Sequence, residues 1–256
     1  MSRPRIIVTN DDGIFSEGIE RLAASLATVG DVFTVAPDQE RSAAGHSLTL
    51  HHPLRPVARG PKHYQVYGTP TDCVMLAVEA LMPERPDFVF SGINHGQNMG
   101  EDVLYSGTVA AAMEGLALGI PSIAISFAGG DLRADVSRLD EQVQVLVPLL
   151  RHLTSLTPFP HDTLLNINLP PVPPAEQQGI RLTRLGRRVY SNSIQPMRDP
   201  WGREIYWIGG GDISWEGADD SDFQAIRDHC VSVTPLHLDL THRDMLDTRE
   251  NWWQDP

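Results

Sequence analysis

An α/β fold, doubly wound about a mostly parallel sheet in three αβα layers, is what this 256-residue chain predicts. Three observations carry the prediction. Strand-like and helix-like patterns alternate through the first 169 residues, which implies right-handed crossovers between parallel strands. The strand-like runs are short and apolar, as in Ile6-Ile7-Val8-Thr9. That first run ends abruptly in Asn10-Asp11-Asp12-Gly13, with a helical pattern straight after it. Two carboxylates therefore stand at the carboxyl end of a strand, where sheets of this Rossmann-like class bind their ligands.

The elements follow in order. Ile6 to Thr9 is a strand, and Gly18 to Ala27 a helix with Ile19, Leu22, Ala23 and Leu26 on one face. Asp31 to Ala36 is a second strand closed by Pro37, and the polar stretch Asp38 to Gly45 is a loop at its carboxyl end. Ser47 to Val57 and His63 to Tyr67 read as extended excursions that can pair as a hairpin. Thr69-Pro70-Thr71-Asp72 starts a helix that reaches about Leu81: Thr69 as N-cap, Pro70 at the first helical position, Asp72 closing a capping box. Asp87 to Ser91 is a buried-type strand that leads into a loop from Gly92 to Gly100. Ser106-Gly107-Thr108 opens a helix ending at Gly119 and Pro121, and Ser122 to Phe127 is the next strand. Val136, Leu139, Val143, Leu146, Leu150 and Leu153 recur at helical spacing, so Asp135 to Leu153 is an amphipathic helix.

After Thr163 to Leu169 the character changes, and Pro170-Pro171-Val172-Pro173-Pro174 is a stiff linker. Beyond it, Arg181 to Arg188 and Glu204 to Ile208 are strand-like arms about the turn signal Asp199-Pro200-Trp201-Gly202. A hairpin bearing exposed Tyr190, Trp201, Tyr206 and Trp207 is hard to stabilise alone. It reads as an oligomerisation arm or as a local cover. Val231 to Leu240 is a late strand, followed by a C-terminal helix. The chain is thus one domain, 1–256, with its core in 1–169 and the arm, late strand and last helix in 175–256.

Apolar residues make up 41% of the chain and aromatics 7%, enough for a core of this size. The net charge of −13 argues against a nucleic-acid polymer as partner. Cys73 and Cys230 are the only cysteines, too few for a disulfide framework, and they point to a reducing, cytoplasmic setting. No apolar run approaches the roughly 20 residues of a membrane span.

Three loops converge at the carboxyl edge of the predicted sheet: Asn10 to Gly13, Asp38 to Ser47, and Ser91 to Gly100. Asp11 and Asp12 at about 4 Å repel by roughly 4 kcal/mol at an effective dielectric near 20. That is tolerable at a surface turn, or where a cation neutralises both; an N-cap acid is the plain alternative. The loops offer carboxylate, hydroxyl and amide oxygens, the set hard cations such as Mg²⁺ or Mn²⁺ prefer, and no His or Cys pair has zinc spacing. Ser106-Gly107-Thr108 at a helix start is a ready anion site, or simply an N-cap. Asn98 can donate to the same anion or serve a tight turn. His46 and His95 are an acid or orienter, or ordinary surface groups. The acid-rich stretch Asp212 to Asp222 reads as a solvated loop, and Gly209-Gly210-Gly211 does not follow the first strand, so it is no dinucleotide fingerprint.

Taken together, Thr9-Asn10-Asp11-Asp12-Gly13-Ile14, Val35-Ala36-Pro37-Asp38 with Arg41-Ser42 and Gly45-His46-Ser47, Gly68 to Cys73, Ser91 to Gly96 with Asn98-Met99-Gly100, and Ser106-Gly107-Thr108-Val109 resemble the SurE family of nucleotidases. Later matches are Leu165 to Pro170, Tyr206-Trp207 and Val231 to Leu236. The resemblance implies a divalent-metal-dependent phosphatase of nucleoside 5′- and often 3′-monophosphates, some members also trimming polyphosphate. It puts one Mg²⁺ or Mn²⁺ per subunit on Asp11, Asp12, Ser42 and Asn94, with Asp11 and Asp12 catalytic. Substrate phosphate falls near Asn98 and on Ser106, Gly107 and Thr108; His46 and His95 are accessory candidates from their place in the loops alone. It further implies a homodimer or homotetramer built with exchanged C-terminal arms. The chain departs from the common pattern at Ala43 and His229, where glycine is usual, and at Gln97, where proline is. Two other readings of the same pocket are a non-catalytic nucleotide sensor and a haloacid-dehalogenase-type phosphatase with an Asp nucleophile. The latter needs its second Asp two places on, whereas these acids are adjacent.

Overall fold

A computed structural model describes residues 3–129, 136–190, 194–208 and 213–247. In chain order it runs β1 (Arg5–Thr9), α1 (Glu17–Leu26), β2 (Asp31–Pro37), β3 (Pro56–Gly60), β4 (His63–Val66), α2 (Pro70–Leu76), β5 (Phe88–His95), α3 (Gly107–Ala117), β6 (Ser122–Phe127), α4 (Val136–Ser155) and β7 (Leu164–Leu169). The remainder is β8 (Ile180–Leu182), β9 (Arg187–Tyr190), β10 (Ile194–Arg198), β11 (Glu204–Ile208), β12 (Ile213–Glu216), α5 (Asp222–Arg227), β13 (Val231–Leu236) and α6 (Arg243–Asp247).

Nine strands form one sheet in the order β3-β4-β2-β1-β5-β6-β7-β13-β8. The run from β4 to β7 is parallel throughout. Antiparallel β3 lies beyond β4, and antiparallel β13 beyond β7. From β1 the chain crosses through α1 to β2 on one side, while β5 lies on the other. The gap between β1 and β5 is therefore the point where the winding reverses, the usual position of a ligand crevice in open sheets.

Side chains alternate across each strand. Ile6 and Val8 of β1 pack with Ile19, Leu22 and Leu26 of α1 and with Leu146 and Leu150 of α4. Ile7 between them packs on the other face with Val74 of α2 and Ala111 of α3. Helices on both faces explain why β6 and β7 are buried along their whole length. The capping box forms as the sequence predicts: the Asp72 N–H donates to Thr69 Oγ1 at 3.1 Å, and the Thr69 N–H to Asp72 Oδ2 at 2.8 Å. The helical stretch reaches Leu81, its last part as a π-helical turn.

Four expectations are corrected. The stretch from Gly92, predicted as loop, continues β5 to His95, with its pairing to β6 shifting between Ser91 and Asn94. Gly92 has φ +135°, and a Cβ there would stand 2.2 Å from the Ile125 carbonyl oxygen, so only glycine fits. Arg181 to Arg188 is not one arm: Ile180–Leu182 joins the main sheet beside β13, and Arg187–Tyr190 pairs with β12. The hairpin about Asp199–Gly202 is made by β10 and β11. The stretch ending at Asp222 is not simply solvated, because Asp222 is buried and accepts the N–H groups of Gly100, Gly186 and Phe223 at 2.8, 2.8 and 2.9 Å. The late strand ends at Leu236 rather than Leu240. Asp135, Gly209 to Gly211 and Asp212 lie outside the described residues.

Ala43 and His229 both take left-handed backbone, at φ 57° and 59°. The glycine common at these two positions in the resembled family suits that conformation, which costs an L-residue roughly 1–2 kcal/mol.

Candidate active site

The turn after β1 is shaped by Asn10, whose Nδ2 donates to the Gly13 carbonyl at 3.0 Å and to Ser16 Oγ at 2.7 Å. Ser16 in turn caps α1. The turn ties itself to both other loops. The Arg41 N–H donates to the Asp11 carbonyl at 2.7 Å, and the His95 N–H to Asp12 Oδ2 at 3.3 Å. The second loop is tied to the segment that leads into α3, where the Gly45 N–H donates to the Tyr105 carbonyl at 3.1 Å. Three segments far apart in sequence are thus linked, through N–H groups of Arg41 and His95, to the turn after β1 at the switch point.

They line one cleft of about 1040 Å³. Asp11, Asp12, Ser42, Asn94, His95, Asn98 and Ser106 all face it, so the residues predicted as ligands share a wall with two of the four predicted for the anion. Gly107, Thr108 and His46 do not line it. Thr108 lies buried behind the acids and gives its hydroxyl hydrogen to Asp11 Oδ1. His46 Nε2 is 2.9 Å from Glu114 Oε2 on α3, which pins the second loop to that helix.

Burial pushes the Asp11 carboxyl up to about 6; the Thr108 hydroxyl opposes the rise and the charge of Asp12 adds to it. Asp11 and Asp12 set two carboxylates side by side; His95 Nε2 stands 3.9 Å from Asp12 Oδ2, and among the described residues no basic side chain is bonded to Asp11, a setting that suits a cation. The oxygens available are of the right kind. Asn94 spends its Nδ2 on the Gly96 carbonyl at 2.8 Å, which leaves its amide oxygen as acceptor. Ser42 donates to Glu40 Oε1 at 2.7 Å and keeps its lone pairs. Among the described residues no cluster of three or more His, Cys, Asp or Glu could hold a metal. A site here depends on the hydroxyl and amide as well as the acids, and such an all-oxygen set fits Mg²⁺ or Mn²⁺.

The start of α3 is the candidate anion end. Ser106 Oγ accepts the Val109 N–H at 3.1 Å, which satisfies one of the helix's orphan donors. The first-turn N–H groups of Gly107 and Thr108 have no partner within the helix, and the positive end of its dipole lies with them.

Sequence reasoning missed what holds Asn98. Its N–H donates to Asn168 Oδ1 at 2.9 Å, its carbonyl accepts from Asn166 Nδ2 and Asn168 Nδ2 at 2.8 and 3.0 Å, and its own Nδ2 donates to Ser126 Oγ at 2.8 Å. The signal was present in β7, where Asn166-Ile167-Asn168 sets two polar groups on one face of a strand buried throughout. Buried amides of that kind must find partners. Asn168→Ala leaves the buried Asn98 N–H without its acceptor and is expected to cost about 1–3 kcal/mol. For a chain of this length that lowers the thermal midpoint by roughly 2–10 °C. An unchanged midpoint in a calorimetric scan would show that the clamp adds nothing.

Comparison with known proteins places these features in context. The profile of the family described as survival protein SurE matches residues 6–192. A protein of Gemmatimonas aurantiaca named 5′-nucleotidase SurE is 66% identical over 98% of this chain and 100% of its own length. One of the same name from Methylococcus capsulatus is 46% identical over 96% of each chain. The crystal structure of SurE protein from Aquifex aeolicus superposes with a TM-score of 0.82 at 40% identity, covering 96% of this chain and 98% of that one.

Proposed function

The chain belongs to the SurE family, and on that premise we propose that it is a divalent-metal-dependent phosphomonoesterase acting on nucleoside 5′-monophosphates, with 3′-monophosphates and short polyphosphate as further substrates. The observation that carries the reading is the meeting of Asp11, Asp12, Ser42 and Asn94 with the start of α3 in one cleft at the switch point. These four residues would hold one Mg²⁺ or Mn²⁺ per subunit. Bound there, such an ion supplies Lewis-acid polarisation of the phosphoryl oxygens.

The chain's own groups do the rest. The start of α3, which reaches the cleft at Ser106 with Gly107 and Thr108 buried behind it, takes up phosphate oxygens with the help of the helix dipole. One of the two acids orients the attacking water and accepts its proton. Thr108 fixes Asp11 by a buried hydrogen bond. The His95 N–H does the same for Asp12. Asn98, clamped from β6 and β7, offers its amide to the anion from a fixed position. Positioning of this kind matters because a misplacement of about 1 Å costs on the order of 10²-fold in rate.

The expected result is phosphate release from AMP that falls at least about 100-fold in EDTA and returns with Mn²⁺. Mn²⁺ alone should also raise the thermal midpoint, since a ligand of the native state stabilises it. Full turnover in EDTA would remove the metal from the account. No release from any nucleoside monophosphate would remove the activity and leave a binding protein.

The hairpin of β10 and β11 exposes Met197, Trp201, Tyr206, Trp207 and Ile208. An apolar surface of that kind supports its reading as an arm shared between subunits of a dimer or tetramer. No helix among the described residues is long and apolar enough to cross a membrane. Cys73 and Cys230 are both buried free thiols, which supports placing the protein in the reducing cytoplasm.

A further inference from the structure

We propose that the ring of Tyr105 is the platform on which the substrate's nucleobase stacks, so that this residue sets the preference for nucleotides over phosphate esters that lack a base. The inference rests on the phosphomonoesterase reading and extends it to the leaving group.

The cleft is larger than a phosphoryl group needs. About 1040 Å³ lies at the upper end of what encloses a whole drug-sized ligand. Its metal and anion groups occupy one part, and Tyr105 and Ile208 supply apolar lining elsewhere. Tyr105 immediately precedes Ser106, the N-cap of α3. Its Cα is therefore about 3.8 Å from that of the capping residue, close enough for a ribose to bridge the ring and the anion site. Tyr105 lines this cleft and is 62% exposed, an unusual state for so large an aromatic side chain unless something covers it.

The backbone beneath it is fixed. The Tyr105 N–H donates to the Asp102 carbonyl at 3.0 Å, and its carbonyl accepts from Gly45 at 3.1 Å. A platform held in place before binding loses little freedom when the base arrives. Stacking on an aromatic ring also accepts every base, because each has a π-face.

Phe15 is the rival ring. It is 72% exposed and lines a neighbouring cleft of about 520 Å³ that shares Asp12, Glu40 and His95 with the first. That cleft lacks Asn94, Ser42 and the start of α3, and Glu17 and Asp38 line it instead. The Arg59 guanidinium already stands over the Phe15 ring at 5.7 Å. A base seated there would be cut off from the anion site.

The test is the ratio of kcat/KM for AMP to kcat/KM for ribose 5-phosphate, measured with Mn²⁺ on the full chain. A general disturbance of the loop lowers both terms and leaves the ratio alone. Tyr105→Ala should lower the ratio roughly 5- to 150-fold, the span expected for one lost stacking contact. Tyr105→Phe should stay within about 2-fold of wild type, because it keeps the π-face, and Phe15→Ala should leave the ratio unchanged. An unchanged ratio in Tyr105→Ala, or a fall in Phe15→Ala of the same size, overturns the inference while the phosphatase stands. Failure of the wild-type protein to release phosphate from either ester overturns the phosphomonoesterase reading and the inference with it.

Discussion

Asp11→Asn is expected to lower kcat/KM for AMP by about 10³-fold or more, while the metal-free variant melts several degrees above metal-free wild type at pH 7.5. The two effects have one cause. The Asp11 carboxyl is buried, and burial lifts it from 3.8 to about 6. A carboxyl raised in the folded state binds its proton more tightly there than in the unfolded chain. Stability is thus full below about pH 4 and declines as pH rises through about 6. At neutral pH the folded protein carries a burden on the order of 3 kcal/mol, at 1.36 kcal/mol for each pKa unit. Asparagine keeps the shape and can still accept from Thr108, but it never ionises. In EDTA, wild type should lose stability between about pH 4 and 6.5, and the variant should not. Mn²⁺ should raise the wild-type midpoint and leave the variant's unmoved. Circular dichroism melts across that window decide it: parallel pH profiles for the two proteins would mean that the carboxyl is not strained, and the case for a cation at this turn would lose its electrostatic basis.

What the sequence made legible is local or periodic. The capping box at Thr69 is chemistry within four residues, so it can be read directly and forms as read. The first strand and its acids are legible because a strand covered on both faces has no polar alternation to confuse it, and its end is marked by Asn, Asp and Gly. The illegible parts are tertiary. Gly92-Ile93-Asn94-His95 has the composition of a loop, and it is the ladder to β6 that keeps it extended. Arg181 to Arg188 looks continuous, yet the chain leaves the sheet at Thr183 and turns where Asp222 receives the Gly186 N–H. Nothing within that segment announces a carboxylate 36 residues away. The pairing of Thr108 with Asp11, across 97 residues, is hidden for the same reason. The candidate ligands were nameable from their loops and from the family resemblance, whereas the groups that hold them in place were not.

The second large effect is expected at Gly107, where alanine should reduce kcat/KM by about 10²-fold or more and lower the thermal midpoint as well. In an ordinary helix the substitution would be favourable by up to roughly 1 kcal/mol. Here the new Cβ would stand 2.7 Å from Asp11 Cβ, 2.9 Å from Asp11 Oδ2 and 3.1 Å from Pro70 Cγ. Neither neighbour can yield easily. Pro70 is the first residue of α2, and Asp11 is held by Thr108 at its carboxylate and by Arg41 at its carbonyl. The clash must therefore displace the acid or the first turn of α3, and either movement spoils the spacing between Asp11 and the start of α3 on which the proposed phosphatase site depends. Gly60→Ala is the matched control, because its Cβ would meet nothing nearer than His63 Cβ at 3.9 Å. Assays well below both midpoints separate misplacement from unfolding, and Mn²⁺ titration by thermal shift reports whether the ligands still gather. If Gly107→Ala turned over AMP at the wild-type rate, the helix start and Asp11 could not be working on the same phosphate.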